Sequence, residues 1–178
     1  MKKPPTYIFS RNGITGPVPG PPKKKWSERQ VAHFSRFELA KEYGRKVISD
    51  PALSELYRSR LKRWKKKKSK HVGVYQMAIM DFMHPPSILD IRIDRSMQGA
   101  VEVQIKANAY TNVTAVEVQV VSPGGVILEE GKASQPYPCI YYQYHIQDPS
   151  LLKPGVTCKV TVRDIPGNIA EKEVAFSL

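Results

Sequence analysis

The pattern of apolar and polar residues changes at residue 88. Before it, apolar side chains recur every three or four positions, as on one face of an α-helix. After it, apolar and polar residues alternate, as in a half-buried β-strand. The chain is therefore predicted to be an α+β protein, with helices first and strands afterwards. We expect the boundary at Pro85 and Pro86, because proline ends a helix.

The first predicted helix begins at a capping box and runs to about Ile48. Ser27 is the N-cap, and Gln30 is placed to reach back to it. Trp26 and Val31 stand at the two positions of a hydrophobic staple. The residues expected on its buried side are Phe34, Phe37, Ala40, Val47 and Ile48.

Two further helices are predicted before the boundary. One begins at Asp50-Pro51, because Asp is a good N-cap and Pro suits the first helical position. Its apolar stripe consists of Leu53, Leu56, Tyr57, Leu61 and Trp64. The other covers residues 72–83, which are apolar almost all round, so we expect it to pack the first two helices together. An alternative is that its methionines, Met77, Met80 and Met83, form an adaptable binding surface.

Seven short strands are predicted after the boundary, with Gly- and Pro-rich turns between them. They fall in residues 88–94, 101–106, 116–120, 126–130, 140–146, 156–163 and 171–176. Short, half-buried strands in this number are typical of an antiparallel β-sandwich. The alternation predicts that Val103, Val118, Tyr142 and Val160 are buried and that Glu102, Glu117 and Lys159 are exposed.

The end of the chain carries a resemblance to a known family. Residues 160–168 form a strand that ends in Asp164-x-x-Gly167-Asn168, and a second strand follows at Glu171–Phe176. On this ending, residues 88–178 resemble bacterial immunoglobulin-like domains. The resemblance implies a seven-stranded antiparallel Ig-like β-sandwich and no particular ligand.

A second resemblance concerns the helical part. Its marks are Tyr57 after the Asp-Pro helix start, and Asp81-Phe82 followed by Pro85-Pro86. On these residues, the segment is similar to the N-terminal part of a group of small uncharacterised bacterial proteins. That resemblance implies a recurring combination of helices with an Ig-like domain and brings no activity with it.

Three parts are predicted along the chain. Residues 1–25 are an extended, Pro/Gly-rich basic arm, residues 26–86 a basic helical segment, and residues 87–178 the Ig-like domain. The Pro and Gly content means that the arm cannot bury a core of its own. Two interpretations of it stay open: a disordered tail, or an arm that lies on an anionic partner.

Positive charge is concentrated in one half of the chain. Residues 1–71 hold 20 Lys and Arg against 5 Asp and Glu, a net charge of +15, whereas residues 72–178 hold 8 against 11, a net charge of −3. In residues 58–68 every position except Ser59, Leu61 and Trp64 is Lys or Arg. Such a surface attracts nucleic acid, lipid headgroups or an acidic protein.

The basic cluster supplies the candidate site residues. They are Arg58, Lys62, Arg63, Lys65, Lys66, Lys67, Lys68 and Lys70, flanked by Arg45 and Lys46. Phosphate contacts need only positive charge at helical spacing, and a nearby aromatic such as Trp64 can stack on an unpaired base. The alternatives are a solvated helix face or a Lys-rich loop, with Trp64 in the core.

Catalytic, metal and cofactor motifs were not found in the sequence. It has no phosphate-binding glycine loop and no nucleophile elbow, and its four histidines are scattered. Asp164 and Asn168 either form a turn or contribute to a Ca²⁺ site, for which two oxygen ligands are too few. We therefore expect no cofactor, no metal and no enzymatic activity.

These observations favour a non-enzymatic binding or assembly protein. Its basic part, residues 1–71, is expected to bind an anionic polymer, DNA or RNA, and its Ig-like domain to contact another protein. The alternative is a structural component of a larger particle, such as a phage virion or a secretion apparatus. The sequence has no secretory leader and no membrane-spanning run, so a cytoplasmic location is expected. The sequence indicates no oligomeric state.

The two cysteines are predicted to be reduced thiols. Strand alternation places Cys158 on the inward side of its strand and Cys139 on the outward side, which disfavours a bond between them. Alkylation under denaturing conditions without reductant should therefore modify both thiols in the intact-mass spectrum. A protein that takes up no alkylating agent would contradict both the strand register and the cytoplasmic location.

Overall fold

A computed structural model describes residues 7–10, 13–17, 26–65, 72–97 and 99–176, and it describes the backbone alone for residues 7–10, 13–17 and 63–65. The helices are α1 (Glu28–Ser49), α2 (Pro51–Lys65) and α3 (Val74–Met83). The strands are β1 (Tyr7–Ser10), β2 (Gly13–Pro17), β3 (Ser87–Arg95), β4 (Val101–Asn108), β5 (Val113–Val121), β6 (Ile127–Lys132), β7 (Tyr142–His145), β8 (Thr157–Asp164) and β9 (Ile169–Ala175). The chain forms two compact units, Met1–Ser35 and Arg36–Leu178.

The first unit contains a β-hairpin and the start of α1. Strands β1 and β2 pair antiparallel, with Tyr7 opposite Pro17 and Ser10 opposite Gly13. Part of the predicted extended arm is therefore a hairpin. The rest of the arm, residues 1–6, 11–12 and 18–25, lies outside the described residues.

Helix α1 begins with the predicted capping box. The backbone N–H of Ser27 donates to Gln30 Oε1 at 2.9 Å, and the N–H of Gln30 donates to Ser27 Oγ at 3.3 Å. Trp26 meets the ring of Phe34 edge-on, with 4.7 Å between the ring centroids. These contacts hold the chain at the helix entry, as a capping box and an aromatic neighbour are expected to do.

The expected buried side of α1 was partly wrong. Ala40 and Val47 are buried as predicted, whereas Phe34, Phe37 and Ile48 are 47%, 38% and 54% exposed. The buried line instead runs through Ala40, Gly44 and Val47. Small side chains on this line allow α3 to lie close to α1, which decides the face that is covered.

The helices share a small core with a loop of the sheet region. Its buried residues are Val47, Tyr57, Leu61, Met77 and Ala78. Helix α3 therefore packs with α1 and α2, as its apolar composition predicted. Ile165, in the turn after β8, borders the same cluster, so the second unit has helices and strands in contact.

Two residues of α2, Leu56 and Trp64, were predicted to lie in the interior. Leu56 is 40% exposed, although it was placed on the buried stripe of α2, because Ser54 takes the position beside Tyr57 in the packed face. The side chain of Trp64 lies outside the described part.

Met77 is buried and Met80 is 37% exposed, so the predicted methionine surface has at least one member in the core.

Seven antiparallel strands form two sheets. One sheet has the order β3-β4-β7, and the other has the order β6-β5-β8-β9. One hydrophobic core contains residues of both sheets, among them Val103 and Ile105 of β4, Val118 of β5 and Val160 of β8. The prediction of an α+β chain whose second half is built from seven antiparallel strands is confirmed.

Strand registers agree with the alternation in the sequence. Val103, Val118 and Val160 are fully buried, as predicted. Tyr142, on edge strand β7, was predicted to be buried but is only half-buried.

The three charged residues predicted to be exposed are half-buried. Two have an oppositely charged neighbour: Glu117 lies 3.6 Å from Arg163, and Lys159 lies 3.0 Å from Glu171. Glu102 lies 3.5 Å from the imidazole of His145. The neighbouring strands cover the stems of these side chains while their charged ends remain at the surface.

Cys158 lies on the inward side of its strand as predicted, whereas Cys139 precedes β7 and is not in a strand. Cys158 is fully buried in the core of the sheets, Cys139 is partly exposed, and neither is in a disulfide. Burial raises the pKa of the Cys158 thiol to about 12. The native protein should therefore react at Cys139 well before Cys158.

The contact at Gly44 is predicted to be sensitive to one methyl group. A Cβ there would lie 2.7 Å from Cε2 of Tyr75 and 3.3 Å from Cγ1 of Ile79. Helix propensity favours Ala over Gly by about 1 kcal/mol, but overpacking costs about 1–3 kcal/mol. We expect Gly44→Ala to lower the free energy of unfolding in urea by about 1 kcal/mol.

A second background isolates the cause of that loss. In a Tyr75→Ala chain the ring is gone, so Gly44→Ala should become stabilising through helix propensity. Glu42→Ala, at an exposed position of α1, is the control and should be nearly neutral. A loss of equal size in both backgrounds would contradict close packing against Tyr75.

Candidate nucleic-acid interface

Helix α2, which carries the basic cluster, starts at the predicted cap. Asp50 Oδ1 accepts from the backbone N–H of Ala52 at 2.9 Å and from that of Leu53 at 3.1 Å. Pro51, the first helical residue, needs no such acceptor because it has no N–H. The cap fixes where α2 begins and hence which residues share a face further along.

One face of α2 is buried and the basic residues lie on others. Ser54, Tyr57 and Leu61 are buried, with relative exposures of 4%, 0% and 8%. Arg58 and Lys62, one turn apart, are exposed. Arg58 lies 3.6 Å from Glu55, and since both side chains are more than half exposed, the pair contributes little to stability. Both cations can therefore meet a ligand from solvent.

The structure places only part of the predicted site. Among the eight candidates it gives side-chain positions for Arg58 and Lys62, and it brings these two together on one face. Arg63 and Lys65 belong to the last turn of α2, where the backbone is described. The remaining candidates, Lys66, Lys67, Lys68 and Lys70, lie outside the described residues. The flanking Arg45 and Lys46 are exposed on α1.

A chain of hydrogen bonds holds α2 in its orientation. The Tyr57 hydroxyl donates to Asp81 Oδ2 at 2.6 Å. The hydroxyl of Tyr43 lies 3.0 Å from that of Tyr57. Because Tyr57 uses its only proton on Asp81, Tyr43 is the donor to Tyr57. The three side chains come from α2, α3 and α1, so this chain of hydrogen bonds links all three helices.

Asp81 also links the helices to the sheets. Thr111, in the loop between β4 and β5, donates to it twice, from Oγ1 at 2.6 Å and from the backbone N–H at 3.2 Å. Asp81 is fully buried and forms no salt bridge within the described part of the chain. Burial raises the pKa of Asp81, although the hydrogen bonds from Thr111 and Tyr57 oppose that rise. Burial, together with the bond to Asp81, also raises the pKa of Tyr57.

A second polar link joins α1 and α3 to the turn after β8. Arg36 Nη2 donates to the carbonyl oxygen of Phe82 at 3.2 Å and to Asn168 Oδ1 at 3.3 Å. Asn168 Nδ2 in turn donates to the same carbonyl at 3.3 Å. The turn between β8 and β9 is therefore linked to two helices.

Asp164 and Asn168 act as turn residues. The Asp164 carboxylate accepts from the backbone N–H of Asn168 at 2.7 Å and from its side-chain amide at 2.8 Å, and Gly167 supplies the positive φ of 90° that the turn requires. Both carboxylate oxygens are thus engaged within the turn. Among the described residues, no three His, Cys, Asp or Glu side chains are grouped as a metal site.

Asp81 and Thr111 are important residues to which the sequence analysis assigned no role; it named Asp81 only as a mark of a resemblance. Asp81 had a signal, since it is the only charged residue in the apolar stretch 74–83. A carboxylate in a buried helix needs partners, so it marks a place where polar groups converge. Thr111 had no signal, because its position opposite Asp81 arises from the packing of the β4–β5 loop.

None of the helices in the described ranges 26–65 and 72–83 is long and apolar enough to cross a membrane.

No protein-family model and no curated protein matches the chain. Two solved structures resemble about half of it. One is the crystal structure of an endonuclease/exonuclease/phosphatase from Beutenbergia cavernae, with 17% identity, a TM-score of 0.35, and coverage of 48% of this chain and 23% of that chain. The other is the crystal structure of an engineered protein, with 16% identity, a TM-score of 0.34, and coverage of 50% and 20%.

The expectation that the chain is not an enzyme needs correction. One of the two similar structures is that of an endonuclease/exonuclease/phosphatase, which contradicts that expectation. The match spans less than a quarter of that protein. At this TM-score and identity, the likeness identifies no reaction and no catalytic residue.

Asp81 is predicted to make stability depend on pH. Because the pKa of Asp81 is raised in the folded chain, its protonated form favours folding. This contribution is fully present below the ordinary Asp pKa of 3.8 and is lost as pH rises through the raised value. An Asn has no such dependence. The free energy of unfolding of the native chain minus that of Asp81→Asn should therefore fall with rising pH and then level off.

Urea unfolding at a series of pH values measures this difference. Asp94→Asn, at an exposed position of β3, is the control for changing a carboxyl to an amide. The shape of the profile is the readout, because Asn also changes the hydrogen bonds with Thr111 and shifts the whole curve. A difference that rises with pH would contradict a buried carboxyl that resists ionisation.

Proposed function

We propose that this chain binds nucleic acid through its basic N-terminal part, residues 1–71, and contacts a protein partner through its strand-rich part. The observation that carries the proposal is the separation of charge, +15 on residues 1–71 against −3 on residues 72–178. The exposed positions of Arg58 and Lys62 on α2 support it. A phosphate backbone is the polyanion that best matches a row of such cations.

The proposed binding is to phosphates, with little preference for base sequence. The cluster is mostly Lys, whose ammonium group makes point contacts with phosphate, whereas base recognition favours bidentate Arg, Asn or Gln. Arg58 and Lys62 of α2 are exposed while Tyr57 and Leu61 are buried, so these two cations can contact a phosphate backbone without disturbing the core. Trp64 is a candidate for stacking on an unpaired base.

The proposal assigns an Ig-like sandwich to residues 87–178. It is supported by the strand order: the first, second and fifth of the seven strands form one sheet, and the fourth, third, sixth and seventh form the other. In constant-type Ig domains the fourth strand lies in the first sheet, whereas variable-type domains add strands beside the third. Here the fourth strand lies beside the third. Domains of this kind recognise other proteins in many systems, but the fold alone does not identify the partner.

A cytoplasmic location is part of the proposal, because nucleic acid is accessible there.

Titration of labelled DNA and RNA at several salt concentrations tests nucleic-acid binding. For about 4–6 phosphate contacts, the slope of log affinity against log salt should be about −3 to −5. The double variant Arg58→Ala/Lys62→Ala should reduce the size of the slope by up to about 2, because each lost contact releases one fewer counterion. Changing Lys65, Lys66, Lys67 and Lys68 to Ala should reduce it further.

The matched control removes the same charge elsewhere. Lys132→Ala/Lys172→Ala changes two cations of the strand-rich part and should leave the slope unchanged. An equal effect of both double variants would show that net charge alone matters and would contradict a localised interface. No affinity for DNA, RNA or anionic vesicles at about 50 mM salt would contradict the proposal and favour a structural component of a larger particle.

A further inference from the structure

An open cleft lies where α1, α3 and the last hairpin meet. It has a volume of about 450 Å³. Its walls are Arg36, Leu39, Phe82, Pro85, Asn168 and Ile169. Leu39 and Ile169 are 54% and 48% exposed, so aliphatic surface faces solvent on two sides of the cleft. None of these residues belongs to the basic cluster of α2 and the residues after it, although Arg36 and Leu39 lie within residues 1–71.

Among the described residues that line this cleft, Arg36 is the one cation. It is half-buried, and its Nη2 is held by the Phe82 carbonyl and by the side-chain oxygen of Asn168. Both acceptors are uncharged. Within the described residues, Arg36 forms no salt bridge, and its Nε and Nη1 donate to no acceptor. A positively charged group is therefore positioned by neutral neighbours and keeps three N–H groups available.

The neighbours of Arg36 orient it without neutralising it. Asn168 is itself fixed, because its amide donates to Asp164 and its backbone N–H donates to the same carboxylate. The guanidinium therefore has a defined position before any ligand arrives, which lowers the conformational cost of binding. A half-buried guanidinium without an anion favours a negatively charged ligand.

The chemistry of the walls narrows the kind of anion. A phosphate group is usually bound by several cations, whereas the described walls of this cleft supply one. One guanidinium matches the single charge of a carboxylate, and the aliphatic and aromatic walls match an apolar side chain next to it. Small-molecule sites bury most of their ligand, which an open cleft cannot do. A chain end, whose remainder continues into solvent, fits such a cleft better.

We propose that the Arg36 cleft binds the C-terminal end of a partner polypeptide whose last residue is apolar. The terminal carboxylate accepts hydrogen bonds from the free N–H groups of Arg36. The apolar side chain of the last residue packs between Leu39 and Ile169, over Phe82 and Pro85. This inference is independent of nucleic-acid binding and goes beyond the proposed function by naming a site for a protein partner.

Synthetic peptides test the proposal on the full chain. The probe is a set of fluorescent peptides that share a Gly-Ser stretch. Their last two residues are Val, Ile, Leu or Phe in all combinations. Each is made with a free C-terminal carboxylate and as the C-terminal amide. In fluorescence anisotropy, the best free acids should bind about tenfold or more tightly than their amides, because the amide removes the charge-assisted hydrogen bonds.

Three variants locate the binding. Arg36→Gln keeps a donor for the Phe82 carbonyl and should abolish the preference for the free acid. Ile169→Glu, at an exposed position of edge strand β9, should weaken all peptides by about tenfold through charge repulsion and loss of apolar contact. Leu89→Glu is the matched control, since Leu89 is 55% exposed on edge strand β3 and does not line the cleft. It should bind as the native chain does.

Each outcome is decisive. Equal affinity of acids and amides, or no binding by any peptide of the set, would overturn the proposal. An equal loss in Ile169→Glu and Leu89→Glu would do the same. If Arg36→Gln does not fold, the comparison of Ile169→Glu with Leu89→Glu still tests the site. Salt titrations with nucleic acid are separate, so failure here leaves the proposed function to its own experiment.

Discussion

The arrangement of the second unit depends on the hydrogen bonds that the buried carboxylate of Asp81 accepts. It accepts hydrogen bonds from α2 through Tyr57 and from the β4–β5 loop through Thr111. A buried charge without a cation is costly, and these donors offset the cost only while all of them are in place. Helix α2 and the loop are therefore held to one position relative to α3. The face of α2 that carries Arg58 and Lys62 is exposed because the face with Tyr57 is the one held in the core.

Close packing and polar links have different roles around α3. Gly44 allows the ring of Tyr75 to lie against the backbone of α1. This apolar contact brings α1 and α3 together but does not by itself fix the orientation of one helix relative to the other. The links through Asp81 and through Arg36 then select the orientation, because hydrogen bonds depend on direction whereas apolar contact does not. The Arg36 link has a further consequence. It leaves a cation in the wall of an open cleft, held by uncharged neighbours.

The sequence predicted local features well because they depend on neighbours along the chain. The capping box of Ser27 and Gln30, the cap at Asp50 and the change of period at residue 88 all appear in the structure. Strand alternation gave the correct inward residues in the central strands, since a period of two leaves only one register that buries Val103, Val118 and Val160.

What the sequence by itself determined is the order of helices and strands after residue 26, the helix caps and the separation of charge along the chain. Tertiary structure alone decided which helix face is covered. Phe37 of α1 is apolar yet exposed, because α3 packs on the line through Gly44 and not on the larger side chains. Leu56 of α2 is exposed because the buried face of that helix is formed by Ser54, Tyr57 and Leu61. It also decided the partners of Asp81 and Arg36. Thr111 and Asn168 lie far from them in sequence, and only the packed chain brings these groups within hydrogen-bond distance.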